Sequence, residues 1–105
     1  MSLYTLPIEV TSDAWDQTTD LDGRQFRLSF AWSFREEAWY LDIASRDGTL
    51  LAAGLKLCEG VNVLRRQASS DLPSEPLVLL DMTGAHEECT YDGLGSRWVL
   101  FFGAP

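Results

Sequence analysis

The sequence is poor in the residues from which catalytic, metal and disulfide sites are built. It contains a single histidine, His86, and only two cysteines, Cys58 and Cys89. Two cysteines are too few for a disulfide framework, and their spacing matches no zinc-binding pattern. We expect both thiols to be reduced and structural, with a disulfide between them as the alternative. Because this inventory supplies no cofactor or metal site, we expect neither in the protein.

The surroundings of His86 do not form a recognisable catalytic or metal-binding pattern. Cys89, Glu87 and Glu88 lie close to it in sequence, but zinc needs roughly three or four convergent ligands. A nucleophilic triad needs a base beside Ser or Cys and an acid that orients the base. The sequence also lacks a glycine-rich phosphate loop, a Walker-type loop and a G-x-S-x-G motif. We therefore predict that the protein is not an enzyme, since a hydrolase would need partners for His86.

Positive charge and long apolar runs are scarce as well. Eight Lys and Arg residues stand against sixteen Asp and Glu residues, which gives a formal net charge of −8. Nucleic-acid binding depends on Lys and Arg that neutralise phosphates, so we expect no specific binding to DNA or RNA. The N-terminus does not have the pattern of a signal peptide, and no run approaches the about 20 apolar residues of a membrane span. We expect a protein that is cytosolic when made and does not bind membranes.

Residues 24–57 carry the clearest structural pattern, three successive runs in which apolar residues alternate with others. The apolar residues that share a parity are Phe26, Leu28, Phe30 and Trp32 in the first run, Trp39, Leu41 and Ile43 in the second, and Leu51, Ala53, Leu55 and Leu57 in the third. A period of two is typical of half-buried strands. Asp47-Gly48 supplies the positive φ of a tight hairpin turn, and Gly54 indicates a bulge or a point of close packing. We predict a three-stranded antiparallel meander.

The remaining segments extend the all-β pattern. Leu77–Met82 and Arg97–Phe102 are apolar on both parities, which predicts strands buried on both faces, the first of them at the centre of a sheet. Val61–Leu64 is a strand fragment or one helical turn. We predict one domain spanning residues 1–105, in which residues 1–20 form an extended arm or edge strand and residues 21–102 form the β core. The expected fold is a small antiparallel β-barrel or sandwich of about six to seven strands, with one short helical turn as an option.

Two of the sixteen acidic residues fall within predicted strands. Asp42 lies on the polar parity of its strand, so we expect it to be solvated. Asp81 lies beside the buried run, where a carboxylate needs hydrogen bonds from the backbone or from an arginine. Both are interpreted as structural, because a chain so rich in carboxylates offers many chance pairs for acid–base chemistry.

Protein–protein contact is the function that the composition favours, since twelve aromatic residues are a heavy load for one small core. Trp15 either folds back on the core or anchors a neighbouring subunit. Arg65 and Arg66 form the only adjacent basic pair, at the start of a long loop over residues 65–76. The two phenylalanines at the end of the last run mark an exposed strand edge, a natural place for strand addition. The candidate contact residues are Trp15, Arg65, Arg66, Leu72, Phe101 and Phe102.

The order of the turns and strands resembles a known family. The matching stretches are Leu21-Asp22-Gly23-Arg24-Gln25-Phe26-Arg27-Leu28, Trp39-Tyr40-Leu41-Asp42-Ile43, Asp47-Gly48-Thr49-Leu50-Leu51-Ala52-Ala53-Gly54, Gly60-Val61-Asn62-Val63-Leu64, Asp71-Leu72-Pro73, Leu79-Leu80-Asp81 and Tyr91-Asp92-Gly93-Leu94-Gly95-Ser96-Arg97. In this order they resemble the small baseplate plug proteins of contractile-tailed phages and of prophages that carry such tails. The resemblance spans roughly residues 6 to 102. The His86-Glu87-Glu88-Cys89 segment departs from it, because that family commonly has an Asp-Pro pair in this loop.

The resemblance implies a non-enzymatic virion component near the central axis of the tail tip, present in the host cytoplasm during assembly. It implies contacts with hub or tube proteins, with a second copy of the chain as a further partner, and it carries over no catalytic residues. An acidic face toward a tube lumen would repel DNA phosphates and let the genome pass. The alternatives are a small-ligand-binding β-barrel and an accessory protein unrelated to phage tails.

Overall fold

Two antiparallel sheets form the described part of the protein. In the computed structural model of the chain, the residues described are 3–8, 10, 12–21, 23–65, 72–73 and 76–103. They contain seven strands: β1 (Leu3–Thr5), β2 (Ala14–Leu21), β3 (Arg24–Ser33), β4 (Ala38–Ser45), β5 (Leu50–Lys56), β6 (Leu77–Asp81) and β7 (Trp98–Gly103). These residues include no helix, and therefore none that could cross a membrane. The all-β prediction is confirmed, as a sandwich rather than a closed barrel.

One sheet has the strand order β2-β3-β4-β5 and the other has the order β1-β7-β6. Alternate residues of each sheet are buried in a common core, as the period of a strand requires when one face is covered. The largest fully buried side chains are Trp39, Phe26, Phe30, Phe102, Leu21, Leu28, Leu41, Ile43, Leu57, Leu77, Leu79 and Leu100. The interior of the sandwich is therefore filled by large apolar side chains from both sheets.

The predicted meander corresponds to β3, β4 and β5, which pair in chain order. In the turn between β4 and β5, the amide of Ser45 donates a hydrogen bond of 2.8 Å to the carbonyl oxygen of Thr49. Gly48 has a φ of 94°, the left-handed conformation that a side chain disfavours. Asp47-Gly48 therefore forms the tight turn between β4 and β5 that the sequence predicted.

In the third run of the meander, the residues that face the core are not all the ones that were predicted. Its buried residues are Ala52, Leu55 and Leu57, whereas Ala53 is exposed. The pairing explains this: Leu41 pairs with Leu55 but Ile43 pairs with Ala52, so β5 has one extra residue opposite β4. Gly54 sits in this irregularity with a φ of 68°. The glycine is a bulge, as one of its two interpretations held, and the bulge moves the inward parity by one residue.

The last two strands also differ from the prediction. β6 was expected at the centre of a sheet, but β7 holds that place and β6 pairs with it along one side. Residues of β6 alternate between buried and half-buried, so only one face lies in the core. Val78 and Leu80 are apolar on the half-buried face, which is why the sequence looked like a strand covered on both faces.

The segment between β5 and β6 closes one side of the sandwich. Val61–Leu64 forms neither a helix nor one of the seven strands. Within it, Asn62 forms an isolated antiparallel bridge with Val78. The amide of Val63 donates to the carbonyl oxygen of Leu77, and the amide of Gly60 donates to that of Leu79, each at 2.7 Å. These bonds cover the outer edge of β6 with chain that continues directly from β5.

Candidate protein-interaction surfaces

The opposite side of the sandwich is open in the part of the chain that the structure describes. There, β1 is the last strand of one sheet and β2 is the last strand of the other. A groove of about 1080 Å³ lies between them, lined by residues 5–8, Trp15, residues 17–21, Gly95 and Val99. We call this groove the open seam. Leu6 and Leu21 in its lining are buried core leucines, and the apolar surface that the open seam presents to its surroundings comes from half-buried side chains such as Trp15 and Val99.

The backbone of β2 presents hydrogen-bonding groups toward this open side. The amide of Trp32 donates to the carbonyl oxygen of Asp13 at 2.8 Å, and this pairing sets the alternation along β2 and β3. Opposite pairs in an antiparallel ladder are hydrogen-bonded at every second position. The backbone groups of Asp16, Thr18 and Asp20 therefore point away from β3. The carbonyl oxygen of Ala14 points the same way and accepts a hydrogen bond of 2.6 Å from the hydroxyl of Ser12.

Gln17 spans the open seam. Its side-chain nitrogen donates to the carbonyl oxygen of Pro7 at 3.1 Å, and its side-chain oxygen accepts a bond of 2.9 Å from the indole of Trp15. The amide of Leu6 donates to the carbonyl oxygen of Leu100 at 2.9 Å, which continues the β1 pairing. The bond between Gln17 and Pro7 therefore links the two edges across the groove.

Aromatic side chains pack together at one end of the sandwich. We define the aromatic cluster as Trp15, Phe30, Trp32, Phe34, Trp39 and Tyr91. Trp15 stacks on Phe30 with ring centroids 4.9 Å apart, and Tyr91 stacks on Trp39 at 5.5 Å. The hydroxyl of Tyr91 donates to the carboxylate of Asp13 at 2.6 Å, and this bond, with burial, raises the pKa of Tyr91. Phe34 covers the cluster from outside, yet 69% of it is exposed.

An ion pair fixes the chain between β6 and β7. The guanidinium of Arg97 donates two hydrogen bonds of 2.9 Å to the carboxylate of Asp81, and one of 2.7 Å to Glu87. Asp81 also accepts bonds from the amides of Thr83 and Glu87. The pairing with Arg97 holds the pKa of Asp81 well below its usual range. The prediction that Asp81 accepts backbone and arginine hydrogen bonds is confirmed, and its role is structural.

His86 lies in this same loop and is exposed. Its Nδ1 is 3.2 Å from both carboxylate oxygens of Glu59, whose side chain is nearly buried. Cys89 is a free, buried thiol, and burial raises its pKa to about 12, which makes it a poor nucleophile and metal ligand. Among the residues that the structure describes, no group of three or more His, Cys, Asp or Glu side chains is placed to hold a metal ion.

The six contact residues named from the sequence fall in different environments. Leu72 and Phe102 are buried, and Trp15 and Phe101 are half-buried. Arg65 is exposed, while Arg66 lies outside the described residues, as does most of the predicted 65–76 loop. Of the six, Trp15 lines the open seam. Their role in partner binding stays a prediction.

The sequence predicted an arm or edge strand over residues 1–20 but did not separate β2 within it, and it did not single out Phe34. β2 is rich in Asp, Gln and Thr, so its alternation is weakly apolar and reads as a polar stretch around Trp15. The one usable signal was its position directly before an Asp-Gly pair and a strong strand, which is the arrangement of a hairpin. Phe34 stood in the hairpin connection beside charged residues, and an aromatic residue at such a place is itself a signal of contact.

Comparison with known proteins gives the family. The family model described as "Cyanophage baseplate Pam3 plug gp18" matches residues 3–105. A search of curated proteins finds no match. The match covers every strand of the sandwich, including both edges of the open seam, and agrees with the resemblance carried by the turn motifs. The chain therefore belongs to the phage baseplate plug family, a family of structural proteins of the virion tail.

Proposed function

We propose that the protein is a non-enzymatic plug subunit held near the central hub and tube of the tail baseplate by protein–protein contacts. Membership of the family places it among baseplate proteins. The placement near the hub and tube goes beyond membership of the family and is what we propose. The observation that supports it most is the open seam, where half-buried apolar side chains lie beside the edge strand β2 in the described part of the chain. We propose that the protein is made in the host cytoplasm and joins the tail during assembly.

The charge of the chain suits this location. With a net charge of −8, an acidic face turned toward a tube lumen repels DNA phosphates. A genome that passes such a face meets no Lys- or Arg-rich surface on which to bind. A density map of the assembled baseplate tests this idea. Acidic residues buried against neighbouring subunits, with a neutral lumen, would rule it out.

The groove by itself would also fit the alternative of a small-ligand carrier. Carrier sites are concave and enclose most of their ligand, with a few polar groups that converge on it. Here the interior of the sandwich is filled by Trp39, Phe30, Leu100 and their neighbours, and the groove lies along an exposed flank. A strand of a partner protein fits such a flank better than a small molecule does.

The test is the mass of the purified protein in solution, measured by light scattering, alone and mixed with the tail hub and tube proteins. We expect a stable larger complex with at least one of them. A mass that stays unchanged in both mixtures would contradict the proposed placement.

The candidate contact residues can be tested in the same assay. Arg65→Ala removes an exposed side chain without touching the core, so a loss of complex would report on contact alone. Leu72→Ala and Phe102→Ala open cavities among buried residues, and a thermal melt must accompany them. If the Trp15→Ala variant forms the complex as well as wild type does, Trp15 is not a contact residue.

A further inference from the structure

We propose that the free edge of β2 receives an extended segment of a neighbouring baseplate protein as an added strand, and that this segment carries Lys or Arg at alternate positions. The inference rests on the proposed function in that the partner belongs to the baseplate. It goes further by naming the edge, the binding mode and the chemistry of the partner.

The first support is the set of backbone groups that β2 leaves available. The amides and carbonyls of Asp16, Thr18 and Asp20 face away from β3, and among the described residues β2 pairs with no other strand. Strand addition satisfies such groups and gives affinity that does not depend on side chains. Of the other sheet edges, β6 is covered by residues 59–63, β5 is broken by the bulge at Gly54, and β1 has only three residues. β2 is the long and regular edge of the described residues.

The second support is the groove beside that edge. An added strand has the same alternation as β2, so half of its side chains lie over the open seam and half face outward. The side that faces the seam meets Trp15, Leu21 and Val99, which favours apolar residues in the partner at those positions. The incoming strand would thereby cover the half-buried side chains of Trp15 and Val99.

The third support is charge, which decides between partners. The outward side chains of β2 are exposed, and they include Asp16 and Asp20. Lys or Arg on the incoming strand would lie across from these carboxylates, and opposite charges in directly paired positions stabilise a sheet. A second copy that presented its own β2 would bring Asp16 and Asp20 near equal charges. Charge complementarity therefore favours a basic partner strand over self-pairing.

The test uses the whole protein and two capped peptides of about eight residues, matching the length of β2. In one peptide Lys alternates with Val, and in the other Glu alternates with Val. Binding is followed by NMR shifts and by hydrogen exchange of the backbone amides. We expect the Lys peptide to bind and to protect the amides of Asp16, Thr18 and Asp20 selectively. Equal binding of both peptides, or protection elsewhere, would overturn the proposal.

Two variants test the backbone pairing and the charge matching separately. Thr18→Pro removes an outward amide without breaking the β3 ladder, since edge strands accept proline where the amide faces solvent. We expect about tenfold weaker binding, with Thr18→Val as the control that keeps the amide. The double variant D16K/D20K should prefer the Glu peptide, and this reversal stays decisive if Thr18→Pro misfolds. A D16K/D20K protein that still prefers the Lys peptide would refute the proposed charge matching.

The hub and tube mixtures separate this proposal from the proposed function. A complex that forms with wild type and weakens in Thr18→Pro but not in Thr18→Val supports both. A complex that forms equally in all three leaves the baseplate function standing and overturns the role of the β2 edge. If the isolated protein dimerises, and Thr18→Pro makes it monomeric, the edge pairs with a second copy and the basic-partner inference is wrong.

Discussion

Asp81 is the one charged residue classed as buried in the described part of the chain, and its surroundings explain how it remains ionised. Removing a carboxylate from water is costly unless its oxygens are hydrogen-bonded and its charge is paired. Arg97 meets both needs with two hydrogen bonds, and its Cζ lies over the ring of Trp98, 4.4 Å from the ring centroid. Lysine could not replace it, because it has neither the fork nor the flat face.

Replacing Asp81 by Asn should lower the free energy of unfolding in a pH-dependent manner. The pKa of Asp81 is lowered in the folded state, chiefly by Arg97, so its contribution is fully present above the unfolded carboxyl pKa of about 3.9. The contribution declines as the pH falls below that value. We expect the gap between wild type and Asp81→Asn to be largest near neutral pH and to shrink toward pH 2.

Urea unfolding at a series of pH values measures this gap. Asp20→Asn is the matched control, since it removes one carboxylate from an exposed position on β2. A gap that stays constant from neutral to acid pH would contradict the ion-pair explanation.

At the scale of elements, the sequence predicted the meander well and the other strands less well. The inward residues at the centres of β3 and β4 are large and apolar, from Phe26 to Phe30 and from Trp39 to Ile43, so the period is clear, and Gly48 marks the turn between β4 and β5. Ala53 was misplaced because a bulge changes the parity without changing the composition. β2 was hard to recognise because one sheet neighbour and an open flank demand few apolar residues. The candidate site was therefore predicted in part, through Trp15 and the arm or edge strand expected over residues 1–20, while the bounds and pairing of β2 came from the structure.

Gly54 provides a clean test of the bulge. Its φ of 68° is costly for a residue with a Cβ, and the space where that Cβ would lie is empty. Gly54→Val should therefore lower the free energy of unfolding by about 1–2 kcal/mol through backbone strain alone. Gly54→Asn should cost less, because Asn tolerates the left-handed conformation. Chemical denaturation measures both, and equal losses for Val and Asn would argue against a conformational cause.

At the scale of the whole molecule, the two sheets are joined by side chains that meet in the core. Leu100 lies at the centre of β7 and is fully buried. Leu100→Ala should lower the free energy of unfolding by about 2–5 kcal/mol, since it removes buried surface and leaves a cavity. The half-buried neighbour Val99, changed to Ala, is the control and should cost less. A thermal or urea melt decides, and equal costs would mean that the inter-sheet core is less tightly packed than the structure indicates.

The difference between the two flanks of the sandwich also sets how many partners the protein can join. A subunit with two regular free edges can pass strand pairing from copy to copy and grow into a fibre. This subunit has one side closed by residues 59–63 and one side open at β2. In the described residues β1 has three residues and β5 carries the bulge at Gly54, so β2 is the one long regular edge, and the subunit is built to end a growing sheet rather than to extend it. Such a terminator suits the last component added to a closed assembly.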